Sequence, residues 1–160
     1  MRFTLIKNLK QDSSMRPILS GLLLFTLLYL VADVFVLKGS FGLFFAEIQN
    51  TLYGNMDEYI DPMSNSSFLE FIHTQIFFMM MILLTLSAVF IRLFSKALSS
   101  LIIVNILMIS ALSTLILLVL SYYVNQEFIV IYIITFFIWH VLAFVMSALS
   151  LWSLNFAKSL

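Results

Sequence analysis

Four long runs with almost no charged side chains, joined by short connectors, constrain this chain more than any other feature. Crossing a bilayer takes about 20 mainly apolar residues, and lipid leaves the backbone amides no partner except the helix itself. The predicted spans are residues 17–38, 68–93, 97–124 and 128–156. Connectors of a few residues make neighbouring helices antiparallel. The predicted fold is one all-α, up-and-down bundle of four membrane helices over residues 1–160.

Composition places the same chain outside the usual soluble class. Of its 160 residues, 62% are hydrophobic and only 10% are charged, against about 25% charged in a typical soluble domain. The absence of cysteine excludes disulfides and thiolate metal ligands. Because the formal net charge is zero and the basic residues are dispersed, no nucleic-acid partner is expected. The lipid bilayer is the expected environment.

The charges divide between the two sides of the predicted bundle. One side holds seven of the eight basic residues and the other holds most of the acidic ones. Since positive charge favours the cytoplasmic side, both termini are predicted to be cytoplasmic. The first run is too long for a signal-peptide core, and Lys38, Gly39 and Ser40 offer no cleavage site, so it is read as an uncleaved span. The overall plan resembles many small bacterial inner-membrane proteins, which indicates a cell-membrane location.

The outer loop, residues 39–66, carries a second pattern. Apolar residues recur there at the spacing of a helix face, at Phe41, Phe44, Phe45, Ile48 and Leu52. This pattern predicts a short amphipathic helix, ending at Gly54, in the outer interface. It is either a lid packed on the bundle or a gate or partner-docking surface. The acidic segment that follows is predicted to be a solvated loop.

The start of the second span contains a polar motif. Ser67 is followed three residues later by Glu70, which is the spacing of a helix capping box. Glu70 and His73 also have the Glu-x-x-His spacing found in di-iron bundles. Such a centre needs several acids inside the bundle, and only Asp33 is available there. We therefore predict a structural cap at Ser67 and Glu70 and no metal site.

Asp33 is the one acidic residue well inside a predicted span. An ionised carboxylate costs roughly 2.5–3.5 kcal/mol in the middle of a membrane helix, so we expect a partner for it. Thr26 and Tyr29 lie on the same helix face, and His73 enters from the same side at a similar depth. The sequence therefore predicts an Asp33–His73 pair near the outer surface, in a binding site that includes Thr26 and Tyr29.

The fourth span places a second histidine, His140, near the middle of the membrane. Ala143, Ser147 and Ser150 continue its helix face and form a seam of small residues that lets helices approach closely. Trp139 is expected to point away from this seam, toward lipid or another subunit. His140 is either part of this interhelical packing or a further residue of the binding site.

Three functions fit these observations. The chain shows no nucleophile arrangement and no nucleotide-binding loop, so no catalytic residues are assigned and the first hypothesis is a non-catalytic accessory or scaffold subunit of a membrane assembly. The second is a cation- or proton-conducting or transporter-like protein that uses Asp33 and His73. The third is a redox subunit, with a quinone or haem as the cofactor. A homo-oligomer or other membrane subunits are the expected protein partners.

Overall fold

The computed structural model describes residues 14–94 and 98–156, which form four long α-helices, one short α-helix and a 3₁₀ turn at Met56–Glu58. The helices are α1 Met15–Ser40, α2 Phe45–Tyr53, α3 Asn65–Leu93, α4 Leu98–Tyr123 and α5 Phe128–Asn155. The four long helices have 26 to 29 residues and are apolar enough to cross a membrane. At 1.5 Å per residue each is roughly 39–44 Å long, more than the hydrocarbon thickness of about 30 Å. The predicted fold class is confirmed, including the short helix in the first loop.

Two helices begin earlier than the sequence predicts. The first starts at Met15, so Pro17 lies in its first turn, where the missing amide hydrogen of proline has no helical partner to lose. The third starts at Asn65, because Ser64 is its N-cap. The hydroxyl of Ser64 accepts a hydrogen bond from the Ser67 amide at 3.2 Å.

This cap corrects the prediction for Ser67 and Glu70. Ser67 lies in the first turn of α3 rather than at its cap, and its hydroxyl is 2.8 Å from that of Ser64. Glu70 is then in the second turn, too far along to reach the amide of the cap residue. The capping box is therefore wrong, because the helix extends one turn further back through Asn65.

The two ends of the bundle differ in charge. The end where α1 finishes and α5 begins, here called the acidic end, carries Glu47, Asp57, Glu58, Asp61, Glu70 and Glu127. The opposite end, called the basic end, carries Arg16 and Arg92 within the described residues. Contacts hold each end together: at the basic end the Arg16 guanidinium donates to the Asn155 carbonyl at 3.0 Å.

The last helix, α5, is the centre of the packing. It packs most extensively on α4, then on α1, and it also contacts α3 and α2. By contrast α1 has only a small contact with α3, although the two are consecutive spans. A groove therefore remains between α1 and α3.

The short helix α2 closes the acidic end. Phe41, Ile48 and Leu52 are buried there against residues of α1, α3, α4 and α5 such as Phe68. Phe44 and Phe45 are 62% and 37% exposed, so they do not share the buried face. The helix therefore packs on the bundle as a lid.

Glycine is required at both ends of this lid. Gly42 has φ +96° and Gly54 has φ +79°, in the half of the map that L residues rarely adopt. A Cβ on Gly54 would lie 2.8 Å from the carbonyl oxygen of Ile60, and one on Gly42 would lie 2.5 Å from the Cβ of Glu47. Both turns are therefore closed too tightly for any side chain.

Candidate functional site

The centre of the bundle holds one pair of ionisable side chains. Asp33 on α1 and His140 on α5 are joined by a contact of 3.1 Å between Oδ2 and Nε2. Their side chains are only 8% and 6% exposed. With the carboxylate ionised, Nε2 carries the hydrogen and donates it. This pair compensates the cost of an acid inside the membrane.

The antiparallel register of α1 and α5 brings these two residues together. Phe41 lies eight residues from Asp33, and Tyr132 lies eight residues from His140, both toward the acidic end. Their rings meet edge to face at 6.4 Å. Toward the basic end, Arg16 is 17 residues from Asp33, and its partner Asn155 is 15 residues from His140. At 1.5 Å per residue these separations differ by about 3 Å, so the pair is level across the interface.

Tyr29 is the third member of the site. It lies one helical turn before Asp33, and its hydroxyl donates to Oδ1 of Asp33 at 3.3 Å. Thr26 lies a further turn away and is buried, but its hydroxyl donates to the carbonyl of Leu22 in its own helix. Thr26 therefore belongs to the same face without reaching the carboxylate.

His73 is not the partner of Asp33. Its side chain is exposed on α3, and among the described residues no hydrogen bond or ion pair joins it to Asp33. The sequence argument assumed that consecutive spans pack together, whereas α1 packs mainly on α5. The predicted Asp33–His73 pair is therefore replaced by Asp33–His140.

Aromatic rings hold the imidazole of His140 in place. Its ring lies 4.1 Å from that of Phe136 and 4.0 Å from that of Trp139, between ring centres. Trp139 is 1% exposed, which corrects the expectation that it points to lipid or to another subunit. The imidazole is thus fixed in orientation by packing as well as by the acid.

Asp33 also lines the groove between α1 and α3. This cavity has a volume of about 310 Å³, and its walls are Tyr29, Ala32, Asp33, Val36, Leu37 and Ser40 from α1 and Phe71, Thr74, Gln75 and Phe78 from α3. Ser40 is the last residue of α1, so the groove reaches the acidic end. Asp33 lies seven residues below it, at a depth of roughly 10 Å.

The sequence argument missed the α3 wall of this groove. Gln75 and Thr74 are the polar residues there, one or two positions after His73. A glutamine inside an apolar span was the one available signal, since such amides serve interhelical contacts or ligands.

A second groove, between α1 and α5, lies on the other side of the pair. It has a volume of about 340 Å³ and is lined by apolar side chains apart from His140. The pair is therefore flanked by two grooves, and the one on the Asp33 side carries the polar groups.

Small and polar residues elsewhere in the bundle lie at helix contacts, and the buried hydroxyls of Ser147 and Ser150 have no hydrogen-bond partner in the described structure. Ala143, Ser147 and Ser150 are fully buried, as the seam of small residues predicts. On α4 the hydroxyls of Ser110 and Thr114 donate to carbonyls of their own helix. Below Tyr29 the bundle is filled by a cluster that includes Leu23, Leu86, Leu107 and Met146. The polar groove thus stops about halfway through the bundle.

The described part of the chain contains no group of three or more His, Asp or Glu side chains that could hold a metal ion. Its two described histidines are separated, since one is bound to Asp33 and the other is exposed on α3. The site is a pocket whose polar groups are a carboxylate, an imidazole and hydroxyls.

Comparison with known proteins finds a family match. The model of a family named Aq_1264_TM, described as a transmembrane helical domain, matches residues 42–159, more than half of the chain. The chain belongs to this family. The family's matched range begins just after α1, so His140 lies within it and Asp33 lies on the helix that precedes it. No curated protein and no solved structure matches the chain. It is a small membrane protein with a transmembrane helical domain.

Proposed function

We propose that this protein binds a lipid-soluble small molecule in the groove between α1 and α3, with Asp33 as the central binding residue. The observation that carries the proposal is a buried carboxylate, fixed by His140 and Tyr29, that also lines a cavity of about 310 Å³. An intramembrane ionisable residue is costly, and such residues mark ligand or ion sites in membrane proteins.

The groove favours binding over conduction. It extends from Ser40 to Tyr29 and ends at the apolar cluster that fills the rest of the bundle. A path across the membrane would need polar groups or water along its whole length. The transporter-like hypothesis from the sequence is therefore retained in the narrower form of a one-sided binding site, with His140 in place of His73.

The charge distribution supports an orientation for this site. We propose that the acidic end faces outward and that both termini are cytoplasmic, as the positive-inside rule predicts. In a bacterial inner membrane the groove would then open toward the periplasmic leaflet.

A lipid-soluble carbodiimide tests the proposal without knowledge of the ligand. A protonated carboxyl adds across one C=N bond of dicyclohexylcarbodiimide, and the O-acylisourea formed rearranges to a stable N-acylurea that retains the whole reagent. We expect Asp33 of the reconstituted protein to gain one reagent mass, located by peptide mass spectrometry, and Asp33→Asn to abolish this label. Asp57→Asn, which removes an acid from the exposed loop, should leave the labelling unchanged. Because a carboxylate that stays ionised in its pair with His140 does not react, the labelling is run at neutral and at acidic pH. Absence of the label on Asp33 at both would contradict the proposal.

A second candidate, the accessory or scaffold subunit, is favoured by the loop after α2. Met56 and Tyr59 are 95% and 96% exposed at its tip, and the loop is held by paired backbone bonds between Asn55 and Ile60. Rigidly presented aromatic side chains are common anchors of protein interfaces. Native mass spectrometry of gently solubilised protein tests this role: a stoichiometric complex weakened by Tyr59→Ala would support it, whereas only the 18.4 kDa chain would contradict it.

The redox alternative remains a prediction. Its haem form loses support because the Nε2 atom of His140 is bound to Asp33 and His73 lies on the exposed face of α3. An absorbance spectrum of the purified protein checks it, since a bound b-type haem gives a strong Soret band.

A further inference from the structure

We infer that the ligand of the α1/α3 groove is an amphiphilic amine, a molecule with an ammonium headgroup and an apolar tail. This inference rests on the proposed function and specifies the chemistry of its ligand. It follows from the hydrogen-bonding capacity of the groove, from its aromatic walls and from the charge around its entrance.

The groove offers more free acceptors than free donors. All three hydroxyl hydrogens in its wall are already used: Tyr29 donates to Asp33, Thr74 to the carbonyl of Glu70, and Ser40 to the carbonyl of Val36. Their oxygens keep free lone pairs. A carboxylate has about four acceptor positions, and Asp33 uses two of them.

This balance decides between classes of headgroup. A quinone or another carbonyl compound needs donors, and the Gln75 amide is the one side chain in the groove wall with hydrogens not engaged by a hydrogen bond in the described structure. An ammonium group brings its own hydrogens and a positive charge, and it forms charge-assisted hydrogen bonds with a carboxylate. The wall therefore fits an amine better than a quinone.

The aromatic residues of the groove suit the same ligand. The ring of Tyr29 lies 5.2 Å from that of Phe78, at an angle of 31°, and Phe71 is stacked on Phe41 at 4.6 Å. Ring faces attract ammonium groups, more strongly where water is excluded. The groove thus combines a buried acid at its base with aromatic side walls.

The acidic end provides the long-range part of the recognition. It holds six acidic side chains against one basic side chain, Lys38, and within the described residues no salt bridge neutralises the acids. An excess of one sign of charge concentrates ions of the opposite sign near an entrance. Cationic amphiphiles would therefore collect in the leaflet from which the groove opens, with their tails in lipid.

Three probes with the same eight-carbon chain separate charge from hydrogen bonding: octylamine, octyltrimethylammonium and octanol. The wild-type protein is placed in nanodiscs of phosphatidylglycerol, which contains no amine, and carbodiimide labelling of Asp33 is measured with each probe. The quantity counted is the fraction of Asp33 left unmodified, because a primary amine can also intercept the O-acylisourea to give an amide with release of the urea. We expect both cations to leave more Asp33 unmodified, octylamine more strongly, and octanol to give no protection at the same membrane concentration. In calorimetry, Asp33→Asn should raise the Kd for octylamine at least about tenfold, since a charge-assisted bond is lost, while Asp57→Asn should not.

A further arm identifies the source of the amine. If nanodiscs containing phosphatidylethanolamine protect Asp33 without any added probe, the ligand is a lipid headgroup; if they do not and octylamine does, it is a free amphiphile. Labelling of Asp33 that no cation reduces, or that octanol reduces equally, would overturn this inference and leave the proposed function standing. Failure of Asp33 to label at all would instead remove the proposed function.

Discussion

Replacing His140 by leucine tests how strongly the central pair holds α1 in the bundle. The change removes the 3.1 Å contact and leaves Asp33 buried, with the Tyr29 hydroxyl at 3.3 Å as its remaining partner. Removing one partner of a buried pair costs about 3–5 kcal/mol in soluble proteins, whereas interhelical hydrogen bonds in bacteriorhodopsin average about 0.6 kcal/mol. Because Tyr29 still donates and the groove gives Asp33 access to the acidic end, we expect a loss of about 2 kcal/mol.

A double-mutant cycle isolates the pair. Unfolding in mixed micelles is followed by circular dichroism as sodium dodecyl sulfate is added, for His140→Leu, Asp33→Leu and the double variant. The double variant should be more stable than His140→Leu alone, because it no longer buries an unpaired acid, and the coupling energy should be about 1–2 kcal/mol. Val141→Leu, on the lipid-facing side of the same helix, is the control and should change little. A coupling energy below about 0.5 kcal/mol would refute the stabilising role of the pair.

Three further predictions concern the acidic end. Gly54→Ala should destabilise the protein by about 1–3 kcal/mol, because its Cβ would lie 2.8 Å from a carbonyl oxygen and its φ is positive. Gly39→Ala is the control, since the space around Gly39 is open, and it should leave the stability unchanged in the same micelle titration. Ser64→Ala should lower the free energy of unfolding by about 1 kcal/mol through loss of the α3 cap, and Glu70→Gln should leave it unchanged. A larger loss for Glu70→Gln than for Ser64→Ala in thermal unfolding would support the capping box of Ser67 and Glu70 instead. Burial raises the pKa of Tyr53, whose hydroxyl donates to a backbone carbonyl of α4. The stabilising contribution of this hydroxyl is therefore complete below the ordinary tyrosine pKa of about 10 and is lost as the pH rises through the raised pKa. The tyrosinate absorbance difference between wild type and Tyr53→Phe should therefore titrate above pH 10, and a transition at or below pH 10 would contradict this.

The fold was readable from the sequence because the membrane permits so few alternatives. Runs of the right length and the charges at their ends placed four helices within three residues of their observed bounds. The lid helix was also readable, since Ile48 and Leu52 lie one turn apart and both face the bundle. Phe44 was misplaced because α2 begins only at Phe45, so Phe44 is an extended N-cap to which helical spacing does not apply. Phe45 was misplaced because helical spacing gives the angular position of a side chain and does not show whether other protein covers it at the first turn.

The site was only partly readable. Asp33 and His140 could each be singled out as costly inside a membrane, but their pairing depends on which helices touch. Counting residues from the acidic end of each helix placed His140 deeper than Asp33. This count is misleading because the start of α5 projects farther beyond the bundle than the end of α1. Counted from Arg16 and Lys158 at the other end, the two residues are 17 and 18 positions away and hence level. His73, 19 positions from Arg92, is level by the same count, so only the packing of α1 on α5 decides the partner.

The separation of 107 residues between Asp33 and His140 has a consequence for biosynthesis. The first helix leaves the ribosome with Tyr29 as the one partner of its acid, and the imidazole that completes the site arrives on the final helix. Until then the apolar residues of α1 alone offset the remaining cost of that acid in lipid. Truncation before α5 should therefore leave the first hydrophobic segment less firmly inserted and more open to quality-control proteases, although every residue of that segment is unchanged.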